Sequence, residues 1–284
     1  MKKIVKVIAY SSLTLILFGA FLGGSYLLSN VIKYKDIPLN TDVLTIAQLQ
    51  IPIFDSQNKR IEEENSFSRK TVKLRELPPY VYQSFISIED KDFYNHKGVN
   101  PKRIVSATFN NIKNKSFSQG ASTISQQLIK NSQLSGERTY TRKMKEIKLA
   151  RDLEKRYTKN EILEMYLNTI YFGNGCYGIE DASKFYFNKH ASELSLNESA
   201  LLVAVINAPS VYNPVTNYSK TIDRKNLVLK AMLKENKITQ AEYDACVYSG
   251  INISETNPVS SYAQAAIAEA AQILNLSESN IISG

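Results

Sequence analysis

Two short segments of this 284-residue chain combine side chains that could carry out acid–base chemistry on a polar substrate. The first, ISIEDKDFYNHKG at residues 86–98, places the carboxylates of Glu89 and Asp90 beside aromatic and imidazole side chains. The second, GASTISQQ at residues 120–127, leads through small and hydroxyl residues to two adjacent glutamines. A carboxylate can accept a proton, and amides can orient the hydroxyl groups of a substrate. The two segments therefore predict a site for proton transfer.

A third segment, RKMKE at residues 142–146, surrounds a carboxylate with cations. On a helix, Arg142 and Lys143 precede Glu146 by four and three residues, so the three side chains share one face. Exposed ion pairs of this kind contribute little to stability, but the same cations could also bind a diphosphate. Each segment alone favours an ordinary structural role: a charged helix end, a capped helix start or a surface ion-pair cluster. Their order along one chain favours a site.

The composition favours a negatively charged partner and gives no sign of a structural metal site. The 35 Lys and Arg residues exceed the 27 Asp and Glu residues, and the net charge of +8 suits nucleic acid, anionic lipid or a phosphorylated substrate. The chain has neither CxxC nor HExxH spacing, and EDKDFYNHKG lacks the spaced oxygen ligands of a calcium loop. Cys176 and Cys246 are far apart in sequence, which favours free thiols, although an oxidising compartment would allow them to pair.

The start of the chain predicts a membrane anchor. Lys2, Lys3 and Lys6 precede residues 7–32, a segment without a charged side chain. As a helix this segment would be about 39 Å long, which exceeds the ~30 Å hydrocarbon core of a bilayer. A cleaved signal peptide is the alternative, but its apolar core should be only about 7–15 residues long, and no clear A-x-A site follows. We expect an uncleaved anchor with a cytoplasmic N-terminus and an outward-facing body, which argues against nucleic acid as the partner.

The rest of the chain predicts a mainly α fold, because Ser or Thr followed three residues later by Glu or Gln recurs before apolar-periodic runs. The pairs are Thr123–Gln126, Thr158–Glu161, Ser195–Glu198, Thr239–Glu242 and Ser261–Gln264. The run ALLVAVINA at 200–208 predicts a buried central helix that Pro209 stops. Gly250 is expected to end the helix that begins near Thr239. Weak strand patterns are confined to residues 43–54 and 67–74.

Two prolines predict the helices around the first motif. A helix from about Pro79 would turn Val81, Phe85 and Ile88 inward and present Glu89 near its end. A second helix would begin at Pro101, where the missing N–H of proline does no harm. Its apolar side chains are expected to form one stripe, made of Ile104, Val105, Thr108, Phe109 and Ile112.

With these motifs in this order, the sequence resembles the peptidoglycan glycosyltransferases, glycosyltransferase family 51. The first three family motifs look like EDKDFYNHKG, GASTISQQ and RKMKE; a fourth looks like KNEILEMYLN (159–168) and a fifth like RKNLVL (224–229). The resemblance covers roughly residues 70–245. It departs from the usual family pattern at Asn100, Ser125 and Asn207, none of which is a carboxylate of the motifs.

The resemblance implies a lysozyme-like, mainly α glycosyltransferase domain preceded by a single transmembrane helix, with the catalytic domain outside the cell membrane. The expected segments are a cytoplasmic stub and anchor (1–35), an extracytoplasmic spacer (36–70), the glycosyltransferase domain (71–250) and a C-terminal helix or linker (251–284). The chain has no KTG triplet, and SQNK at 56–59 precedes the first motif, so we expect no transpeptidase within it. A monofunctional enzyme and the N-terminal part of a class A penicillin-binding protein both fit, and the abrupt end of the sequence slightly favours the second.

The resemblance also implies the chemistry. The substrate would be lipid II, whose disaccharides are joined into β-1,4-linked glycan with release of undecaprenyl diphosphate and inversion at the anomeric carbon. Glu89 would be the general base, and Glu146 would either orient nearby cations or help to hold a divalent metal. The implied substrate-binding residues are Asp90, Phe93, His96, Ser122, Gln126, Gln127, Lys130, Arg138, Arg142 and Lys143. The resemblance assigns no metal ligand with certainty, although some relatives need Mg²⁺ or Mn²⁺.

The expected partners are lipid II, a lipid-linked glycan strand, the membrane and, from the family alone, other cell-wall synthesis proteins. Two other functions stay open. A lysozyme-like hydrolase would also use carboxylates on sugars, but it needs a proton donor and a poised water rather than a dense cation cluster. An inactive, membrane-anchored wall-binding protein would have no need for both Glu89 and Glu146. Turnover of lipid II, compared with turnover of polymerised glycan, separates the three.

Overall fold

The computed structural model describes residues 34, 36–45, 71–113, 120–134, 139–254, 269–270 and 272–273. Within these ranges the fold is mainly α, as predicted. The helices are α1 (Asp42–Thr45), α2 (Pro79–Glu89), α3 (Pro101–Lys113), α4 (Ile124–Gln133), α5 (Tyr140–Arg156), α6 (Lys159–Thr169), α7 (Ile179–Phe187), α8 (Leu196–Asn207), α9 (Tyr218–Lys234) and α10 (Gln240–Tyr248). Short 3₁₀ turns lie at Leu74–Glu76, Phe93–Asn95 and Ala191–Glu193.

Four of the five predicted capping pairs are confirmed, at the starts of α4, α6, α8 and α10. At α6, for example, Thr158 accepts a hydrogen bond from the backbone N–H of Glu161, and the Glu161 carboxylate accepts the N–H of Thr158 in return. The Ser261–Gln264 pair lies outside the described residues. Thr139 caps α5 by accepting the N–H of Arg142 at 3.1 Å. The pattern missed this cap because a cation, not Glu or Gln, stands three residues later.

The core is built around α8, whose side chains from Ser199 to Val205 are all buried. This confirms the predicted central helix, which ends at Asn207 before the proline. Helices α2, α8 and α9 pack against one another, and α4 packs against both α5 and α6. Phe85 on α2 links the two groups, because its ring meets the edges of Tyr166 on α6 and of Phe172, with centroids 6.3 and 6.1 Å apart. The first motif is thereby fixed to both halves of the core.

Both proline-started helices are confirmed, and Glu89 is the last residue of α2. The stripe predicted on α3 does not face the core where its side chains are described. Val105 is 70% exposed and Ile104 36% exposed, whereas Ala107 is buried. Of the described apolar side chains of α3, the small Ala107 is therefore the buried one, and Ile104 and Val105 are exposed.

The two strand patterns are wrong where their residues are described. Residues 43–45 belong to α1 and Leu74 begins a 3₁₀ turn, so the described ends of the two strand patterns are not strands. Asn40 accepts the N–H of Asp42 at 3.0 Å, and this local turn starts a helix in place of a strand. Helix α10 ends at Tyr248, with Ser249 extended at the cap and Gly250 directly after it, so the helix stops next to the predicted glycine. Gly250 does not have a positive φ.

No helix among the described residues is long and apolar enough to cross a bilayer. The predicted anchor at residues 7–32 lies outside those residues and stays a prediction. The domain boundaries drawn from the sequence likewise stay predictions. Cys176 and Cys246 are both free thiols in the structure.

Candidate active site

Glu89 is partly buried at the C-terminal end of α2. Its Oε2 accepts a hydrogen bond of 2.7 Å from the side-chain amide of Gln127 on α4. The oxygen of that amide accepts a hydrogen bond of 3.2 Å from the hydroxyl of Tyr166 on α6. Tyr166 is fully buried, and burial, together with the charges of Glu89 and Asp90, raises its pKa well above the usual value. The hydroxyl therefore stays protonated and can act as the donor.

Asp90 lies directly behind Glu89 and is completely buried. Its Oδ2 accepts the backbone N–H of Ile124 at 3.0 Å, at the first turn of α4, and contacts His96 Nε2 at 2.8 Å. A carboxylate is favoured at the N-terminus of a helix, where backbone N–H groups are free. Arg103 on α3 lies 3.5 Å from Oδ1 and donates to the backbone carbonyl of Glu89. These contacts suit Asp90 to fixing the site rather than to reacting.

His96 and Phe93 extend the same buried network toward α5 and α6. Nδ1 of His96 lies 3.5 Å from the ammonium of Lys159, which sits 4.4 Å from the centroid of the Phe93 ring. Lys159 donates at 2.7 Å to Glu154, which also accepts the hydroxyl of Ser125 at 2.5 Å. Desolvation lowers the pKa of Lys159, and the charges of Glu154 and Asp90 oppose that change. Because of these contacts, the side chains of Phe93 and His96 are buried inside the protein rather than exposed at the surface of the first motif.

Glu146 is the second buried carboxylate of the site, and it is surrounded by donors. Its Oε1 accepts a hydrogen bond of 3.0 Å from the amide of Gln126 and contacts the ammonium of Lys143. Its Oε2 lies 3.8 Å from the guanidinium of Arg142. Lys143 also donates to the hydroxyl of Ser122 at 2.9 Å. Glu146 and its two cations therefore share one face of α5, as predicted. The hydroxyl of Ser122, from the second motif, contacts Lys143 of this cluster.

Helix α4 connects Glu89 and Glu146, because the side-chain amides of two consecutive glutamines on this helix each bind one of these carboxylates. Gln126 reaches Glu146, and Gln127 reaches Glu89. Lys130 lies one turn further along α4 and is exposed. Desolvation lowers its pKa, and the negative charges of both Glu146 and Glu89 act against that shift. Glu89 and the cation cluster thus border the same helix.

The chain matches the family model described as "Transglycosylase" over residues 57–233, which is more than half of its length. The chain belongs to the transglycosylase family. The resemblance to glycosyltransferase family 51 is thereby confirmed, and this transglycosylase domain is homologous to the glycosyltransferase domains of class A penicillin-binding proteins. Membership rests on the sequence match and not on the geometry of the site.

Three curated relatives of the transglycosylase are 40% identical to it. Penicillin-binding protein 1A of Escherichia coli (strain K12) aligns over 260 residues, 90% of this chain and 30% of the relative. Penicillin-binding protein 1A of Aquifex aeolicus aligns over 72% of this chain and 28% of the relative, and penicillin-binding protein 4 of Bacillus subtilis over 75% and 35%. The crystal structure of penicillin-binding protein 1A from Haemophilus influenzae is similar with 26% identity and a TM-score of 0.43, over 80% of this chain and 24% of the other. The chain thus spans about a third or less of these proteins.

Of the site residues predicted for the transglycosylase, only Arg138 lies outside the described residues. The residues that the sequence did not single out for this site are Tyr166, Arg103, Glu154 and Lys159. Two of them, Lys159 and Tyr166, belong to KNEILEMYLN, the fourth motif, from which the sequence predicts no site residue. Their function in the fold is to hold the first two motifs, and an apolar-periodic helix pattern does not distinguish that role from ordinary core packing.

The surroundings of Glu146 do not fit a divalent cation held by the protein. Mg²⁺ prefers oxygen ligands, whereas the groups around this carboxylate are an ammonium, a guanidinium and an amide NH₂. Within the described ranges no group of three or more His, Cys, Asp or Glu side chains could hold a metal ion. Of the two roles left open for Glu146, the contacts favour the orientation of cations.

Proposed function

We propose that this chain is a peptidoglycan glycosyltransferase that polymerises lipid II into β-1,4-linked glycan strands. One observation carries the proposal. Glu89, held by Gln127, and the cation cluster around Glu146, held by Gln126, border the same helix. Transfer of a sugar from a diphosphate needs a proton acceptor for the attacking hydroxyl and positive charge for the leaving group. Glu89 and the cations around Glu146 are the proposed sources of these two functions.

In the proposed reaction Glu89 accepts the proton of the acceptor sugar's 4-hydroxyl. The oxygen attacks the anomeric carbon of the lipid-linked donor strand from the face opposite the diphosphate. The bond between that carbon and the diphosphate oxygen breaks, and its electron pair leaves with the undecaprenyl diphosphate. Because attack and departure occur on opposite faces, an α-linked diphosphate becomes a β-1,4 linkage. No covalent enzyme intermediate is required.

The cations of the second and third motifs are proposed to bind the diphosphate. Lys130, Arg142 and Lys143 are the described candidates, and Arg138 is a further one from the sequence. The leaving diphosphate is an anion and needs charge stabilisation rather than a strong acid. Glu146 would orient Arg142 and Lys143 by binding both on one side, which leaves their other donors for phosphate oxygens. Since the donors around Glu146 do not suit a metal, we derive no step through Mg²⁺ or Mn²⁺.

The proposed setting is the outer face of the cell membrane, with a lysozyme-like domain behind a single N-terminal anchor. The charge-free segment 7–32 and the lysines before it support this orientation. A lipid-linked substrate also requires the site to lie close to the bilayer. The membrane and a lipid-linked glycan strand are accordingly proposed as partners, with cell-wall synthesis proteins as a family expectation.

The deciding experiment is polymerisation of lipid II by the full chain in detergent or vesicles. We expect glycan strands from the wild-type protein, and we expect Glu89→Gln to abolish polymerisation while the fold is kept. Glu235→Gln, which changes a carboxylate just beyond α9, is the matched control and should polymerise normally. Hydrolysis of polymerised glycan without use of lipid II would favour the hydrolase, and absence of both reactions would favour a binding protein. A fully active Glu89→Gln protein would refute the base assignment.

A further inference from the structure

We propose that Tyr166 is a positioning residue for glycosyl transfer, which acts on Glu89 through the amide of Gln127. The inference rests on the proposed function, because it assigns Tyr166 to the same proton transfer. Its basis is a chain of two hydrogen bonds, from the Tyr166 hydroxyl to Gln127 Oε1 at 3.2 Å and from Gln127 Nε2 to Glu89 Oε2 at 2.7 Å. Tyr166 does not touch the reacting atoms in this scheme.

The Tyr166 hydroxyl and the Glu89 carboxylate together favour one orientation of the Gln127 amide. A side-chain amide has one accepting and one donating end. Because burial raises the pKa of Tyr166, its hydroxyl keeps its proton and requires an acceptor. If the amide turned over, its oxygen would face the Glu89 carboxylate, and its NH₂ would face the donating hydroxyl. The first contact would be repulsive. In the second the hydroxyl oxygen could accept from the NH₂, but its own proton would lose the acceptor it has among the described residues, so the observed orientation is the one that satisfies all three groups.

The ring of Tyr166 is itself held by the helix that carries Glu89. Phe85 precedes Glu89 by one helical turn on α2, so the two side chains lie on the same face. Phe85 and Tyr166 meet edge to face, with an interplanar angle of 84°. Such aromatic pairs have a preferred geometry that adds to the burial of their surface. The contacts therefore form a closed ring from α2 through α4 and α6 back to α2.

This ring leaves one carboxylate oxygen of Glu89 to accept a proton. Gln127 occupies Oε2, and Oε1 has no hydrogen-bond partner in the part of the chain that the structure describes. A proton acceptor must be placed to within a fraction of an ångström, since small misplacements greatly reduce the rate. Without the Tyr166 hydroxyl, the Gln127 amide would lose the contact at its oxygen, and the amide and the carboxylate could move together. Substrate would still bind, but the fraction of encounters with a well-directed oxygen would fall.

The first test compares Tyr166→Phe with Tyr186→Phe in the full chain. Tyr186 is also fully buried, and its hydroxyl donates to the backbone carbonyl of Phe172 at 2.8 Å. Both variants lose one buried hydroxyl, but only the first loses the link to Glu89. We expect Tyr166→Phe to lower kcat for lipid II roughly tenfold with little change in KM, as for loss of a group acting mainly in the transition state. Tyr186→Phe should retain the wild-type kcat. Equal kcat values for the two variants would overturn the inference.

A double-mutant cycle tests whether Tyr166 acts through Gln127. If it does, Tyr166→Phe should have no further effect on kcat in a Gln127→Ala background, because the intermediate group is already missing. An undiminished tenfold loss in that background would contradict the proposed path. The cycle also removes general destabilisation from the comparison, since that would be carried into both backgrounds.

A spectroscopic measurement separates this inference from the proposed function. In full-length protein labelled with ¹⁵N at glutamine, the side-chain amide signals of Gln127 should move in Glu89→Gln and in Tyr166→Phe, but not in Tyr186→Phe. Gln127 signals that are unchanged in Tyr166→Phe would refute the relay whatever the turnover. If the wild-type chain failed to polymerise lipid II while the predicted shifts were seen, the proposed function would be wrong and the Tyr166–Gln127–Glu89 contact would still stand.

Discussion

Asp90 and Glu89 are neighbours in sequence, yet the structure predicts opposite consequences when each carboxylate is replaced by its amide. Asp90→Asn should destabilise the protein, because the carboxylate is completely buried and Oδ2 accepts both the Ile124 N–H and a hydrogen bond from His96. Glu89→Gln keeps an oxygen for Gln127 at a partly exposed position. It should remove activity with little loss of stability.

The magnitude for Asp90→Asn follows from the partners of the two oxygens. If the amide oxygen stays at the Oδ2 position, the new NH₂ faces the guanidinium of Arg103, 3.5 Å from Oδ1, and two donors oppose each other. If the amide turns over, the NH₂ faces the N–H of Ile124 and the helix start loses its acceptor. One hydrogen bond to a charged group contributes about 1.5–3 kcal/mol. Either orientation loses at least one such interaction and weakens the other, so we expect a loss of about 2–4 kcal/mol in the free energy of unfolding.

The assay is urea unfolding of the full chain in detergent, followed by circular dichroism, with lipid II turnover measured on the same samples. Asp92→Asn is the matched control. It lies in the same loop and accepts one hydrogen bond, of 3.2 Å, from the neutral amide of Asn100. Its change in stability should stay below about 1 kcal/mol. Asp90→Asn should retain part of its turnover wherever it is folded. An Asp90→Asn protein as stable as wild type but inactive would show that Asp90 takes part in the chemistry, and the reasoning would fail.

Three further predictions concern donor binding, acid stability and a glycine. Arg138→Ala should weaken binding of the lipid-linked donor, because it removes a proposed diphosphate contact; unchanged donor affinity would eliminate that role. Hydrogen bonds from the backbone N–H and hydroxyl of Thr158 lower the pKa of Glu161. The ionised carboxyl therefore stabilises the fold at pH values above its unfolded pKa of about 4.3. This stabilisation is lost as the pH falls through the lower pKa of the folded state. Glu161→Gln should therefore lower the urea midpoint at pH 7, and the difference from wild type should shrink toward zero at about pH 2; a difference independent of pH would contradict this. Gly98→Ala should strongly destabilise the fold, because φ is +85° and a Cβ would lie 2.6 Å from a backbone oxygen of α5. Gly120 has open space around it, so Gly120→Ala is the control and should leave the thermal unfolding temperature nearly unchanged.

The helix starts were predictable because their signals are local. A capping residue and its partner stand three residues apart, so Thr123 with Gln126 and Ser195 with Glu198 could be read without knowledge of the tertiary fold. The pairing of Glu146 with Arg142 and Lys143 was predictable for the same reason. These contacts depend only on helical geometry.

The links between motifs were not predictable, because they join residues far apart in sequence. Gln127 and Tyr166 are 39 residues apart, and Asp90 and Ile124 are 34 apart. In sequence, Tyr166 sits among apolar residues at helical spacing and looks like any core tyrosine. Only the packing of α6 against α4 places its hydroxyl beside the amide. The exposure of Ile104 and Val105 on α3 was not predictable either. An apolar pattern predicts one face of a helix but does not specify what covers that face.

The two glutamates of the site have similar chemistry in isolation, and their surroundings separate their roles. Glu146 is buried and bound by Lys143, Arg142 and the amide of Gln126, so its charge is compensated and both of its oxygens have partners. Among the described residues no Lys or Arg forms an ion pair with the Glu89 carboxylate, whose hydrogen-bond donor is a neutral amide. Environments that differ in this way are how enzymes give different tasks to like carboxyl groups. Because the same helix supplies both amides, a shift of α4 would disturb the proton acceptor and the cation cluster together, and this common dependence makes α4 the element on which the proposed reaction rests.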